Sequence, residues 1–237
     1  LSPLFTVSRV YSRHRAHRIE TDYGEVAFET TEASCRIGST TCAVLLALLE
    51  CPVGNKARQD YGIPAWLLKA PLWQKRLFLA SYFGAELQTP RAFAERNRNF
   101  PCPLLTVQKH EDYIASGRQF LEQVAVLAKE FGIETLGIEE RRERVQRKRG
   151  ISCRLRLMFS SRPESLLALY TRVGFEYHRD KRAEAAVAAA YHAAKQTVWN
   201  ARERLIEEVV TLRAETGAGA KTILKQLMMK PLLMAAS

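Results

Sequence analysis

Long apolar runs are missing from this sequence. The stretch AVLLALLE falls far short of the 18 or more residues a membrane-spanning helix needs, so no membrane partner is expected. Cysteines are few. Cys35, Cys42, Cys51, Cys102 and Cys153 are odd in number, with no CxxC spacing and no histidine at a zinc-finger interval. That argues against a zinc finger and against a fully paired disulfide framework. Buried, reduced thiols in an intracellular protein are the simplest reading, in cytoplasm or nucleoid with an organelle as the alternative. A secretory signal is missing as well, because in LSPLFTVSRVYSRHRAHR the basic block follows the apolar part. Residues 1–18 contain Ser, Arg and His and no acid. They read either as an amphipathic targeting peptide or, more simply, as the start of a fragment.

Acids are also in short supply. Against 36 Lys and Arg the 237 residues set 25 Asp and Glu, leaving a net charge of +11. A surplus of that size favours a polyanion, nucleic acid before an anionic membrane. The cations cluster at Arg13, Arg15 and Arg18, at Arg91, Arg96 and Arg98, along RRERVQRKRG, and at Lys181 and Arg182. The third cluster holds Arg141, Arg142, Arg144, Arg147, Lys148 and Arg149 against one glutamate. Such a run is either a solvated turn or a contact for an anion. Arg154 and Arg156 follow on the next segment, and arginine suits both phosphates and guanine edges.

Periodicity supplies the elements. EDYIASGRQFLEQVAVLAKEFGI predicts an amphipathic helix with Ile114, Phe120, Leu121, Val124, Leu127, Ala128 and Phe131 on one face and Gly132 as the stop. Before it, LQTPRAFAERNRNFPCPLLTVQKH reads as two strands joined by a basic turn at 95–99. After it, a hairpin is expected with arms at Ile133–Ile138 and Ile151–Phe159, then a helix through Leu166–Val173. The expected class is α+β, with helices on one face of the sheet and the other face free. The Ala-rich tail, 183–237, predicts helix, with a Gly turn at Gly217 or Gly219. It is either a helix-turn-helix or two ordinary packed helices, and MMKPLLMAAS makes a poor recognition helix.

Two segments look alike, SCRIGSTTCAVLLALLECPVGNK from Ser34 and SCRLRLMFSSRPESLLALYTRVGFEYHRDK from Ser152. Each begins Ser-Cys-Arg, continues to a helix containing Leu-Leu-Ala-Leu, and ends near Val-Gly. An internal repeat is expected, with 1–70 the remnant of a first half and 71–182 a complete second half.

The stretch LASYFGAEL, Leu79 to Leu87, is unusual in placing small residues inside a helix that stops at Glu86. A helical glycine costs about 1 kcal/mol relative to alanine. These nine residues resemble the signature of the LAGLIDADG homing endonucleases, most closely the variants embedded in inteins. YGIPAWLLKAPLWQKRLFLASYFGAE, GRQFLEQVAVLAKEFGI and YTRVGFEYHRDKRA match in order, so the resemblance covers roughly residues 30–200.

The resemblance implies an αββαββα pseudo-repeat with a mixed sheet. It implies close helix–helix packing through Ala80, Ser81 and Gly84, with Glu86 as catalytic carboxylate and metal ligand. Lys109 would stand beside the metal-bound water, and Mg²⁺ would be the ion. The implied activity is site-specific, metal-dependent cleavage of double-stranded DNA. The alternative is an inactive DNA- or RNA-binding protein, a regulator or ribonucleoprotein component, on the same fold. A monomer with two pseudo-symmetric halves is expected rather than a homodimer. One departure bears on activity: the counterpart of Glu86 in the first half falls on Ser8, and that of Lys109 on Thr30, so cleavage would need a second acidic motif.

Overall fold

From the N-terminus the chain forms two strands, β1 (Tyr11–Thr21) and β2 (Gly24–Ser34), then three helices, α1 (Thr40–Leu48), α2 (Ala65–Leu68) and α3 (Leu72–Glu86). There follow β3 (Leu104–His110), α4 (Ile114–Glu130), β4 (Thr135–Glu143), β5 (Ser152–Phe159), α5 (Pro163–Ala168) and α6 (Arg179–Thr216). The computed structural model describes residues 7–21, 24–92, 100–143, 151–219, 221–223, 225 and 227, without the side chains of 19–21, 142 and 143.

Alternation in β5 organises the sheet. Cys153, Leu155, Leu157 and Phe159 are buried, while Ser152, Arg154, Arg156 and Met158 are half-exposed. A period of two sends the first set beneath the helices and the second to the opposite face. β5 lies between β3 and β4 and pairs antiparallel with both. A mixed sheet was expected, with parallel as well as antiparallel pairs, and among the described residues this sheet pairs antiparallel throughout. The reason is topological: α4 carries the chain from β3 to a parallel but non-adjacent β4, and β5 fills the gap running the other way. Of the first strand expected after α3, the described residues show one bridge, Leu87 with Leu105. The turn expected at 95–99 lies outside the described residues.

α4 has the expected face, with Phe120, Leu121, Val124, Leu127 and Ala128 buried and Ile114 and Phe131 half-buried. Gly117 lets it settle on the sheet. A Cβ there would sit 2.7 Å from Leu155 Cδ1 and 2.7 Å from Lys109 Cγ. Gly132, at φ +77°, ends the helix as expected, its N–H donating to the Lys129 carbonyl at 2.9 Å. The expected hairpin arm at Ile133–Ile138 runs further, to Glu143.

Both Ser-Cys-Arg segments lie where a strand gives way to a helix, β2 to α1 and β5 to α5, but they differ in register and in burial. The first Ser-Cys-Arg ends a strand and the second begins one. Leu45, Leu46, Leu48 and Leu49 are exposed in and just after α1, whereas Leu166, Leu169 and Tyr170 are buried where α5 passes into a π-helical turn, Leu169–Val173. β1 and β2 pair over their full length as a two-stranded ribbon. α6 is continuous for 38 residues and is capped by Gly217 in the left-handed region at φ +63°. The boundary expected at 182/183 therefore falls inside one helix. MMKPLLMAAS lies outside the described residues.

Candidate nucleic-acid interface

α3 ends where the sequence suggested, on Glu86, and its small residues have a local use. The segment after the π turn crosses it: the Glu176 N–H donates to the Ala80 carbonyl at 2.9 Å. A Cβ on Gly84 would come within 2.7 Å of the Glu176 carbonyl oxygen. Arg76 secures the same crossing, its Nε donating to the Arg172 carbonyl at 3.2 Å and its Nη2 to Glu176 Oε2 at 3.3 Å. Ser81 instead lines a largely apolar cavity of about 630 Å³ with Trp66, Trp73, Leu77, Phe78 and Tyr82.

Glu86 is ringed by cations. Lys56 Nζ donates to its Oε1 at 2.9 Å, and the Glu86 side chain is 34% exposed. Tyr61 stands close enough that burial first, and the Glu86 charge second, push its phenol pKa up. Lys181 is within electrostatic reach of Glu86. Its ammonium donates to the carbonyls of Gly84 at 2.8 Å and Leu87 at 2.7 Å. This closes the carbonyl end of α3, where a cation also complements the helix dipole. Burial lowers the Lys181 pKa and Glu86 opposes that shift.

Lys109 is fully enclosed, at 0% exposure. Its position on the buried register of β3 explains this. The ammonium donates to the Gln59 carbonyl at 2.8 Å and to Ser116 Oγ at 3.5 Å, and stands 3.8 Å from the centre of the Tyr61 ring. Burial lowers its pKa, opposed by Asp60. Ser116 in turn accepts from the Tyr61 N–H and donates to the Tyr61 carbonyl, and Gln123 accepts from the Ile63 N–H at 2.7 Å. Residues 59–63 are thus fastened to α4, closing over the lysine.

The donor set around Glu86 is poor for the expected metal. Among the described residues no group of three or more His, Cys, Asp or Glu could hold a metal ion. Glu86, joined to Lys56 and faced by Lys181, does not fit a divalent cation on its own.

The open face of the sheet is different in character. Cross-strand register places Gln108, Arg154 and Arg141 in one row and Thr106, Arg156 and Glu139 in the next. Arg141 Nε donates to Glu139 Oε1 at 3.2 Å. Of the other expected contacts, Arg91 is exposed beside Glu184, 3.4 Å away. Arg142 sits on β4, opposite Cys153. Arg96, Arg98, Arg144, Arg147, Lys148 and Arg149 lie outside the described residues. Sequence reasoning missed Lys56 and Tyr61 at Glu86. No periodic signal marks either, since Lys56 opens a single 3-10 turn, Lys56–Arg58, and Tyr61 lies in the loop between it and α2.

The chain is similar to proteins named tRNA-splicing ligase RtcB. It is 32% identical over 222 residues to the one from Methanopyrus kandleri, covering 93% of this chain and 21% of the relative. For that of Pyrococcus furiosus the figures are 31% over 218 residues, 92% and 21%. The chain thus spans about a fifth of the length of these relatives. It is also 35% identical over 101 residues to the DNA-directed RNA polymerase subunit Rpo1N of Methanocaldococcus jannaschii, covering 43% of this chain and 7% of the subunit. No family model matches, and no solved structure does.

These names correct the reading by resemblance. The relatives matched over most of the chain are named as tRNA-splicing ligases, not as homing endonucleases. The LAGLIDADG, intein and DNA-cleavage expectations are withdrawn, and with them the inactive regulator on that fold. Two of the small residues that suggested the signature, Ala80 and Gly84, are accounted for locally by the crossing at Glu176.

Proposed function

We propose that this chain is part of a longer polypeptide of the tRNA-splicing-ligase kind, acting inside the cell, and that its share of the work is to hold RNA. The observation that carries the reading is the open sheet face, where Arg154 and Arg156 stand on one strand beside Thr106 and Gln108. Arginine supplies both phosphate contacts and flat guanidinium faces on which unpaired bases stack. The net charge of +11 supports the same partner. Similarity to segments of two proteins with different named activities supports a module whose role is separate from either chemistry. RNA is the polymer those two names share. Any metal used for joining RNA ends would be held by the rest of the polypeptide.

The test is fluorescence anisotropy with a labelled single-stranded RNA across a salt series. The wild-type chain binds, and log affinity falls linearly with log salt. In Arg154→Ala/Arg156→Ala that slope is shallower by about 1.4, at about 0.7 for each phosphate contact removed. An unchanged slope overturns the assigned face. Tighter binding to duplex DNA of the same length overturns RNA as the partner.

A further inference from the structure

One side of α3 carries Trp73, Leu77 and Ser81, spaced by four, with Phe78 and Tyr82 one position on from the last two. It walls the cavity of about 630 Å³, a volume within the range of ligand sites. The walls are fixed. The rings of Phe78 and Tyr82 lie parallel, with an interplanar angle of 1°, and Trp66 Nε1 donates to the Leu49 carbonyl at 3.3 Å. Tyr61 and Tyr82 both meet the Phe120 ring edge to face, at 5.2 and 5.4 Å between centres, which brings the two phenols together. Burial first, then Tyr61 and Glu86, push the Tyr82 pKa up.

Three hydroxyls line this cavity, those of Tyr61, Ser81 and Tyr82, and none has a hydrogen-bond partner among the described residues. A buried phenol ordinarily finds one. The charged lining residues are Glu50 and Lys56, one of each sign, and both are engaged. Glu50 accepts from the Ala65 N–H at 3.4 Å, and Lys56 is joined to Glu86 at 2.9 Å. At the rim Trp66 and Trp73 are exposed. We propose that this cavity receives one unpaired base of a single-stranded RNA, its ring against the tryptophans and its polar edge at the three hydroxyls. The source of that base rests on the RNA reading above, while its chemistry follows from the walls. An aliphatic side chain would fill the apolar space and leave three hydroxyls unsatisfied, and an ion would meet no unengaged counter-charge. A base is neutral, apolar on its faces and lined with donors and acceptors along its edge, and unpaired bases stack on aromatic side chains.

Adenosine is the probe, because without a phosphate it owes nothing to Arg154 and Arg156. In Trp199→Phe the tryptophans that remain are Trp66 and Trp73, so fluorescence reports on the cavity. Saturable quenching is expected, with a dissociation constant below about 1 mM. Tyr82→Phe keeps the ring and weakens binding by about 2–10-fold. Ser81→Leu fills the cavity and abolishes binding, and a cooperative thermal transition shows that each variant still folds. Quenching that does not saturate overturns the proposal. So does binding indifferent to Tyr61→Phe and Tyr82→Phe together, which leaves an apolar hole with no hold on a base edge. A dimer in light scattering that Trp73→Ala dissociates gives the groove to a second copy and overturns it too. Adenosine binding beside an unchanged salt slope in Arg154→Ala/Arg156→Ala keeps this site and loses the sheet face. A shallower slope without adenosine binding does the reverse.

Discussion

His192 shows what a single side chain can set. It is 2% exposed, among the rings of Phe100, Tyr170 and Tyr191, and neither ring nitrogen has a hydrogen-bond partner among the described residues. Burial first, and nearby Lys195 second, lower its pKa from 6.5 to about 4. The folded chain therefore holds it neutral while the unfolded chain protonates it more readily. Its contribution is complete above pH 6.5 and is lost as pH falls from there towards 4. Between pH 7.5 and 5 the loss is about 2 kcal/mol, read as a drop in urea midpoint. His192→Phe keeps the ring packing and is expected to flatten that part of the profile. A slope unchanged in the variant would place the titrating group elsewhere. Gly117 is the other decisive position. Gly117→Ala must push against Leu155 and the stem of Lys109, and is expected to cost about 1–3 kcal/mol in thermal unfolding.

At the scale of elements, legibility followed the length and regularity of the pattern. α4 could be read from its apolar face and its Gly132 stop because both signals are local. The arm expected at Ile151–Phe159, found as β5, was legible for the same reason. Among the described residues no strand follows α3, since a short apolar run cannot choose strand over loop without a partner edge. Only Leu87 found one. The apolar face of α1 looked like core and is exposed, because amphipathic sequence shows a capacity for burial and not what covers it. The site around Glu86 was half legible: the carboxylate follows from the end of a helix, while Lys56, Tyr61 and Lys181 converge on it from distant sequence. Lys181 is the tie between α3 and α6. Lys181→Met would leave the Gly84 and Leu87 carbonyls buried without a donor, at about 1–3 kcal/mol for each. Chemical denaturation measures it, and a loss under 1 kcal/mol would mean that water reaches those carbonyls.

For the whole molecule, order is unevenly distributed. The β1–β2 ribbon is a long two-stranded pair with most of its side chains exposed, its two open ends held together by the bridge of Val7 with Ile37. Isolated hairpins are marginal in water. Its amides are expected to exchange hydrogen at least a hundredfold faster than those of β5, which is paired on both sides. Equal protection would mean that the ribbon is packed against something in solution. On the proposed reading this chain holds RNA and does not join its ends, so an assay for joined product on this chain alone should be blank. Joined product would overturn that division of labour and place the chemistry in these 237 residues.

β5 serves two masters with alternate residues. Inserting one residue near Cys153 would turn Arg154 and Arg156 inward beneath α4 and bring Leu155 and Leu157 out to water. Frame-preserving insertions and deletions within this strand should therefore be absent from working copies of the gene, even where substitutions on its outer face are tolerated.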